Sequence, residues 1–152
     1  MIAGTIAALI LLAYTYVGYP AAIGVLARMR PVRPPLPPPR ERRISALLPV
    51  WNGGAHLREK LDSLLAQDWP PELLEVLVYC DGCSDDTEAV ARAYAAEPRA
   101  AGRVRVFSSR ERRGKPAALN ALRELATGQL LLLGDVRQPL SPNAARALAH
   151  AL

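Results

Sequence analysis

The sequence predicts an α/β protein, a parallel sheet with flanking helices, preceded by one apolar N-terminal helix. Three observations carry that expectation. Four short apolar runs alternate with stretches whose apolar residues recur at helical spacing, the pattern of βαβ crossovers in a parallel sheet. Two of the runs end on a carboxylate, Asp81 and Asp135, and open parallel sheets bind ligands at the carboxyl ends of their strands. Residues 2–27 contain no charged side chain, whereas about 20 apolar residues in a helix suffice to cross a bilayer core.

Residues 1–28 are therefore read as a transmembrane anchor. A cleaved signal peptide is the rival reading, but such peptides begin with a positive segment, and nothing basic precedes Arg28. Tyr14, Tyr16 and Tyr19 gather around Gly18 and Pro20, so the helix is expected to kink there, or to end early and continue along the surface. Residues 29–42 are basic and too rich in proline for a helix or a central strand, which makes them a stiff, extended spacer. An SH3-type ligand is the functional alternative, although a position between anchor and domain already accounts for the composition.

From residue 43 onward the elements follow in turn. Residues 43–49 form the first strand, Trp51-Asn52-Gly53-Gly54 turns the chain, and Leu57, Leu61, Leu64 and Leu65 place a helix over 56–67. Trp69-Pro70-Pro71 breaks that helix, and 73–80 make the second strand, leaving Asp81 at its end before the Gly82 turn. Ser84, Asp85 and Asp86 are the short polar residues that shape turns and cap helices, here a helix over 85–96 with Val90, Ala91 and Tyr94 on one face. Val104 and Val106 alternate with Arg103 and Arg105 in a more exposed third strand. A basic loop follows, then a helix through Ala117, Leu119, Leu122 and Leu125, with Gly128 as its expected C-cap. The fourth strand, 129–135, is apolar throughout and is expected to be covered on both faces. Ser141 and Pro142 are expected at the N-cap and first position of a last helix.

The net charge of +5 is local. Arg28, Arg30, Arg33, Arg40, Arg42 and Arg43 against Glu41 supply all of it, whereas residues 44–152 hold 13 basic and 13 acidic side chains. Such a distribution fits the positive-inside rule, with the N-terminus outside and the domain on the cytoplasmic face of the cell membrane. It argues against a nucleic-acid partner, despite the pI of about 9.7. Cys80 and Cys83 form a C-x-x-C pair without the flanking residues of a redox motif, and His56 and His150 stand too far apart to complete a zinc site. Two reduced cytosolic thiols are expected.

The rim at the strand ends collects Pro49, Trp51, Asn52, Asp81, Arg112, Arg113, Lys115 and Asp135. Arg110, Arg112, Arg113 and Lys115 crowd the start of a helix, where the macrodipole disfavours cations. A bound phosphate would resolve that conflict; a solvated basic loop is the plain alternative. Asp135 would repel phosphates unless Mg²⁺ or Mn²⁺ lay between them. Trp51 offers a flat surface for a base, and Asp81 an acceptor for a ring N–H. Together these suggest a nucleoside diphosphate site. Neither G-x-x-x-x-G-K-[ST] nor G-x-G-x-x-G is present.

Four segments, in this order, carry a resemblance. They are Ile44-Ser45-Ala46-Leu47-Leu48-Pro49-Val50-Trp51-Asn52-Gly53-Gly54, Val78-Tyr79-Cys80-Asp81-Gly82-Cys83-Ser84-Asp85-Asp86-Thr87, Gly114-Lys115-Pro116-Ala117-Ala118-Leu119-Asn120-Ala121 and Gly134-Asp135-Val136-Arg137-Gln138. Residues 43–152 resemble the N-terminal half of a family 2 glycosyltransferase, of the processive, membrane-attached branch that includes cellulose, hyaluronan and poly-N-acetylglucosamine synthases. The resemblance implies a GT-A (Rossmann-like) fold, a nucleotide-sugar donor, usually UDP-linked, a divalent metal, inversion at the anomeric carbon, and a polysaccharide or lipid-linked acceptor. By position, Pro49, Trp51 and Asp81 would hold the nucleoside, with Trp51 where the family more often has Tyr. Lys115 would approach the diphosphate, and Asp135 would be the first carboxylate of the D-x-D element and bind the metal.

Arg137 stands where the family usually has the second Asp; this Asp-x-Arg-Gln form is similar to a known minor variant, and Arg137 could supply charge that a metal otherwise brings. The resemblance places the catalytic base, a Q-x-x-R-W element and further transmembrane helices beyond Leu152, so the chain is expected to be a fragment. Two other expectations compete with the enzyme: a catalytically inactive, membrane-anchored nucleotide-sugar-binding module, and an unrelated membrane-tethered α/β nucleotide-binding domain.

Overall fold

A computed structural model describes residues 2–29 and 42–151. Most of the expected proline-rich spacer, residues 30–41, lies outside the described residues. The chain divides into two compact units, 1–36 and 37–152.

The first unit is helical throughout its described length: α1 (Ile2–Ala13), a π-helical turn (Tyr14–Gly18) and α2 (Tyr19–Met29). The expected early end at Gly18 and Pro20 does not occur. Within the turn the Tyr19 N–H bonds to the Tyr14 carbonyl, five residues back. Widening the turn there takes up the mismatch left by Pro20, which has no N–H to donate. None of the side chains described in this unit is buried, and Gly4–Met29 is long and apolar enough to cross a membrane.

The second unit holds a four-stranded parallel sheet in the order β3-β2-β1-β4. Its elements are β1 (Ile44–Val50), α3 (Gly54–Leu65), β2 (Leu74–Asp81), α4 (Thr87–Ala95), β3 (Val104–Ser109), α5 (Lys115–Leu125), β4 (Leu130–Leu133) and α6 (Ala144–His150). Alternation along the two central strands sorts the core. Ala46, Leu48 and Val50 of β1 and Val76, Val78 and Cys80 of β2 pack with Leu57, Leu61 and Leu64 of α3 and Ala91 and Tyr94 of α4. Leu47, Leu77 and Tyr79 face the other way, onto Ala118 and Leu122 of α5. Both faces of β1 and β2 are thus covered, which is why these strands are near-continuous apolar runs.

Three local expectations are corrected. β4 is an edge strand, and Leu131 and Leu133 are exposed rather than covered; an apolar run alone does not report how many faces find a partner. Helix α5 ends at Leu125, with Ala126 as C-cap. Gly128 instead packs against the backbone of Ser45, where a Cβ would collide. The last helix starts at Ala144 with Asn143 at the N-cap position; the Ser141 and Pro142 carbonyls accept Gln67 Nε2 and the Asp68 N–H and so belong to a loop laid on the segment that follows α3.

A buried carboxylate ties the central strands to the loop before β4. Glu75 Oε1 accepts the Ser45 hydroxyl (2.6 Å) and both the N–H and the hydroxyl of Thr127 (2.8 Å each), while Arg105 lies 3.6 Å from Oε2. Burial pushes the Glu75 carboxyl up, but the Ser45 and Thr127 bonds with Arg105 outweigh it, and the net direction is down from 4.5. A depressed carboxylate contributes stability above its unfolded value and loses it as pH falls through the folded value. Glu75→Ala should therefore destabilise the domain by about 2–3 kcal/mol near neutrality, leaving buried donors unmatched. In urea denaturation the gap from the wild type should narrow as pH falls below 4.5.

Candidate functional site

The turns after β1 and β2 are stitched to each other. Asn52 takes a positive φ of 48°, which asparagine tolerates better than most residues. From there Oδ1 accepts the Ser84 N–H (2.9 Å) and Nδ2 donates to Ser84 Oγ (3.0 Å). The Gly53 N–H donates to Thr87 Oγ1 at 2.9 Å. Asp85 accepts the N–H and the hydroxyl of Thr87, the first residue of α4. Asp86 sits at the N-cap position but makes no side-chain cap bond. Ser84 and Asp85 thus shape this turn, as short polar residues commonly do.

Asp81 has a different task. It is buried, and its two oxygens accept the backbone N–H groups of Arg113 and Gly114, each at 2.8 Å. Gly82, at φ 61°, lies so close to the Glu111–Arg112 backbone that any side chain there would collide. The basic loop is therefore folded back over the end of β2, and α5 starts at Lys115 immediately after the second anchored amide.

That fold-back sets the rest of the site. The Arg112 guanidinium lies 3.6 Å from the centre of the Trp51 ring, a cation–π stack. Lys115 Nζ is 3.5 Å from Asp135 Oδ2, and Asp135 Oδ1 accepts the Arg137 N–H at 3.0 Å. The Arg137 N–H, more than Lys115 and against the effect of burial, holds the Asp135 carboxyl below the usual aspartate range.

Pro49, Val50, Trp51, Asp81, Arg112, Lys115, Asp135, Val136 and Arg137 line a cavity of about 330 Å³. Pro49, Trp51, Asp81, Lys115 and Asp135 all line it together. The remaining basic residues do not converge: Arg110 borders a separate depression with Cys83, Glu88, Ser108 and Ser109, and Arg113 gives Asp81 its amide. The Arg112 stack on Trp51 was not legible in the sequence, because the bend that brings them together depends on the Asp81 bonds. Cys80 and Cys83 are free thiols, and burial pushes the Cys80 thiol up to about 12.

Three cations, Arg112, Lys115 and Arg137, line this cavity with two carboxylates, the buried Asp81 and the half-exposed Asp135, so its lining carries an excess of positive charge. Among the described residues no group of three or more His, Cys, Asp or Glu side chains gathers as metal ligands. The protein's offer to a metal is Asp135, which fits a divalent cation completed by substrate phosphates and water rather than by an all-protein cage.

The sequence profile of the family described as Glycosyl transferase family 2 matches residues 45–136. Among solved structures, the mannosyltransferase PcManGT from Pyrobaculum calidifontis, in complex with GDP-Man and Mn²⁺, is 31% identical with a TM-score of 0.77 and covers 93% of this chain and 41% of that one. Glucosyl-3-phosphoglycerate synthase from Mycobacterium tuberculosis, in complex with UDP, is 28% identical with a TM-score of 0.51, covering 64% and 34%. The uncharacterized glycosyltransferase RP339 of Rickettsia prowazekii is 41% identical over 51 residues, which are 34% of this chain and 15% of that protein. The chain thus spans less than half the length of each. The fold shared with the two solved structures agrees with the GT-A architecture expected from the sequence.

Freeing the loop should expose it. Asp81→Ala removes both amide acceptors, so limited trypsin digestion should cut after Arg110, Arg112 or Arg113 several-fold faster than in the wild type. Trp51 fluorescence should become more accessible to a neutral quencher as Arg112 leaves the ring.

Proposed function

Since the chain belongs to glycosyl transferase family 2, we propose that its cavity is the donor site of a glycosyltransferase that moves a sugar from a nucleoside diphosphate to a polysaccharide or lipid-linked acceptor. The observation that carries this reading is the convergence of Trp51, Lys115, Asp135 and Arg137 on one cavity at the carboxyl ends of β1, β2 and β4. Trp51 and Pro49 offer surface to the nucleoside. Asp81 Oδ1 accepts the Ser109 hydroxyl (3.4 Å) as well as the Arg113 amide, whereas Oδ2 keeps a lone pair beyond the Gly114 amide and offers an acceptor to a ring N–H. Lys115, Arg137 and the N-terminus of α5 attract the diphosphate.

Asp135 would hold Mg²⁺ or Mn²⁺, whose charge would ease departure of the nucleoside diphosphate as the bond from the anomeric carbon to its phosphate oxygen breaks and the glycosidic bond to the acceptor oxygen forms. Lys115 and Arg137 neutralise the same developing charge from the protein side. In this reading Asp81 and Asp135 are both engaged by the donor, so the base that activates the acceptor hydroxyl is assigned to neither. The GDP-Man of PcManGT and the UDP of the mycobacterial synthase make guanine and uracil the two bases to compare. The apolar helix and the arginines that follow it in sequence support a membrane location with the catalytic domain on the cytoplasmic side. Arg137 in the place of a second carboxylate favours one other reading, a nucleotide-sugar-binding module without turnover.

Calorimetry with UDP and GDP, with and without Mn²⁺, tests the donor site. Binding of one nucleotide, strengthened by Mn²⁺ in the wild type but not in Asp135→Ala, is expected. Lys115→Ala should weaken binding about tenfold or more, in keeping with loss of a charge-assisted contact. A folded protein that binds neither nucleotide overturns the reading. Binding with no release of sugar from any donor or to any acceptor would favour the inactive module.

A further inference from the structure

We propose that Lys60, a residue of α3 outside the cavity lining, is the positioning residue of the turn that presents Asp135 and Arg137; this deepens the donor-site reading and rests on it. The buried stripe of α3 is Gly54, Leu57, Lys60, Leu61 and Leu64. Lys60 is only 1% exposed, although an ammonium is among the costliest groups to bury. A hydrocarbon side chain of similar length would fill the same space at lower cost, so packing does not account for a lysine here.

Where the side chain goes accounts for it. Its Cε and Nζ pass beneath Gly134, 3.3 and 3.5 Å from where a Cβ on that residue would sit, and Nζ donates to the Gln138 carbonyl at 2.6 Å. The ammonium therefore spans the underside of the turn, from the residue before Asp135 to the one after Arg137. Few other bonds secure this turn: the Gly134 N–H donates to the Leu47 carbonyl (3.1 Å), Lys115 Nζ lies 3.5 Å from Asp135 Oδ2 on the cavity side, and two bonds are internal, Arg137 N–H to Asp135 Oδ1 (3.0 Å) and Gln138 N–H to the Asp135 carbonyl (3.3 Å). Just beyond it, Ser63, on the same helix as Lys60, accepts the Leu140 N–H at 3.1 Å. Helix α3 thus holds the turn from below, and Lys60 reaches the part that faces the cavity. Burial lowers the Lys60 pKa while Asp135 opposes that shift, in keeping with a cation and a carboxylate that share one turn.

The test separates positioning from plain stability. In the full chain with Mn²⁺, the affinity of the preferred nucleoside diphosphate is compared with that of its monophosphate, because Asp135 and Arg137 serve the diphosphate end whereas Trp51 and Asp81 serve the nucleoside. Lys60→Met should keep its unfolding midpoint, or raise it, and keep monophosphate affinity, while the preference for diphosphate falls about tenfold, as when a partner that orients a binding group is removed. An unchanged preference in folded Lys60→Met overturns the inference and leaves the donor site standing. Wild-type protein that binds no nucleotide overturns both. If the methionine variant does not fold, Lys60→Gln, whose amide stops short of the Gln138 carbonyl, is read by the same ratio and the same two outcomes.

Discussion

The site depends on one carboxylate that spends its hydrogen bonds on the protein itself. Asp81 accepts the amides of Arg113 and Gly114, and without that pair a loop bearing four cations would have every electrostatic reason to swing into solvent. Anchored, it brings Arg112 over Trp51 and starts α5 where Lys115 meets Asp135. The sheet supplies the ends of three strands; the Asp81 bonds turn those ends into a cavity with a floor and a basic wall. A buried charge is tolerable here because two N–H donors satisfy it.

Much of this was legible before any coordinates. Strand ends, helix order and the residues of the rim follow from apolar periodicity and turn residues, because each is decided within a few positions along the chain. What was missed depends on distant partners. The exposed face of β4 reflects a place at the sheet's edge, which Leu130–Leu133 cannot announce. Gly128 looked like a helix cap because glycine serves that role so often, yet it is small so that Ser45 can approach. Lys60 leaves one signal in the sequence, a lysine in register with Leu57 and Leu64, and its partner Gln138 lies far along the chain.

Charge is balanced differently in the two carboxylate systems of this domain. Glu75 is enclosed by neutral donors, with the Arg105 guanidinium 3.6 Å away, and serves cohesion alone. Asp135 is about half exposed and bordered by Lys115, Arg137 and, beneath, Lys60. Its carboxyl is held below the usual aspartate range, and the positive charge around it is what the proposed diphosphate would answer.

The Trp51–Arg112 stack carries one more consequence. A flat ring that settles on that face of Trp51 must first take the place of a guanidinium already resting there at 3.6 Å. Base binding is then an exchange of one stacking partner for another, and only the difference between the two contributes to affinity. In the proposed donor site much of the attraction would then fall to the ionic end of the ligand, so affinity should fall as ionic strength rises.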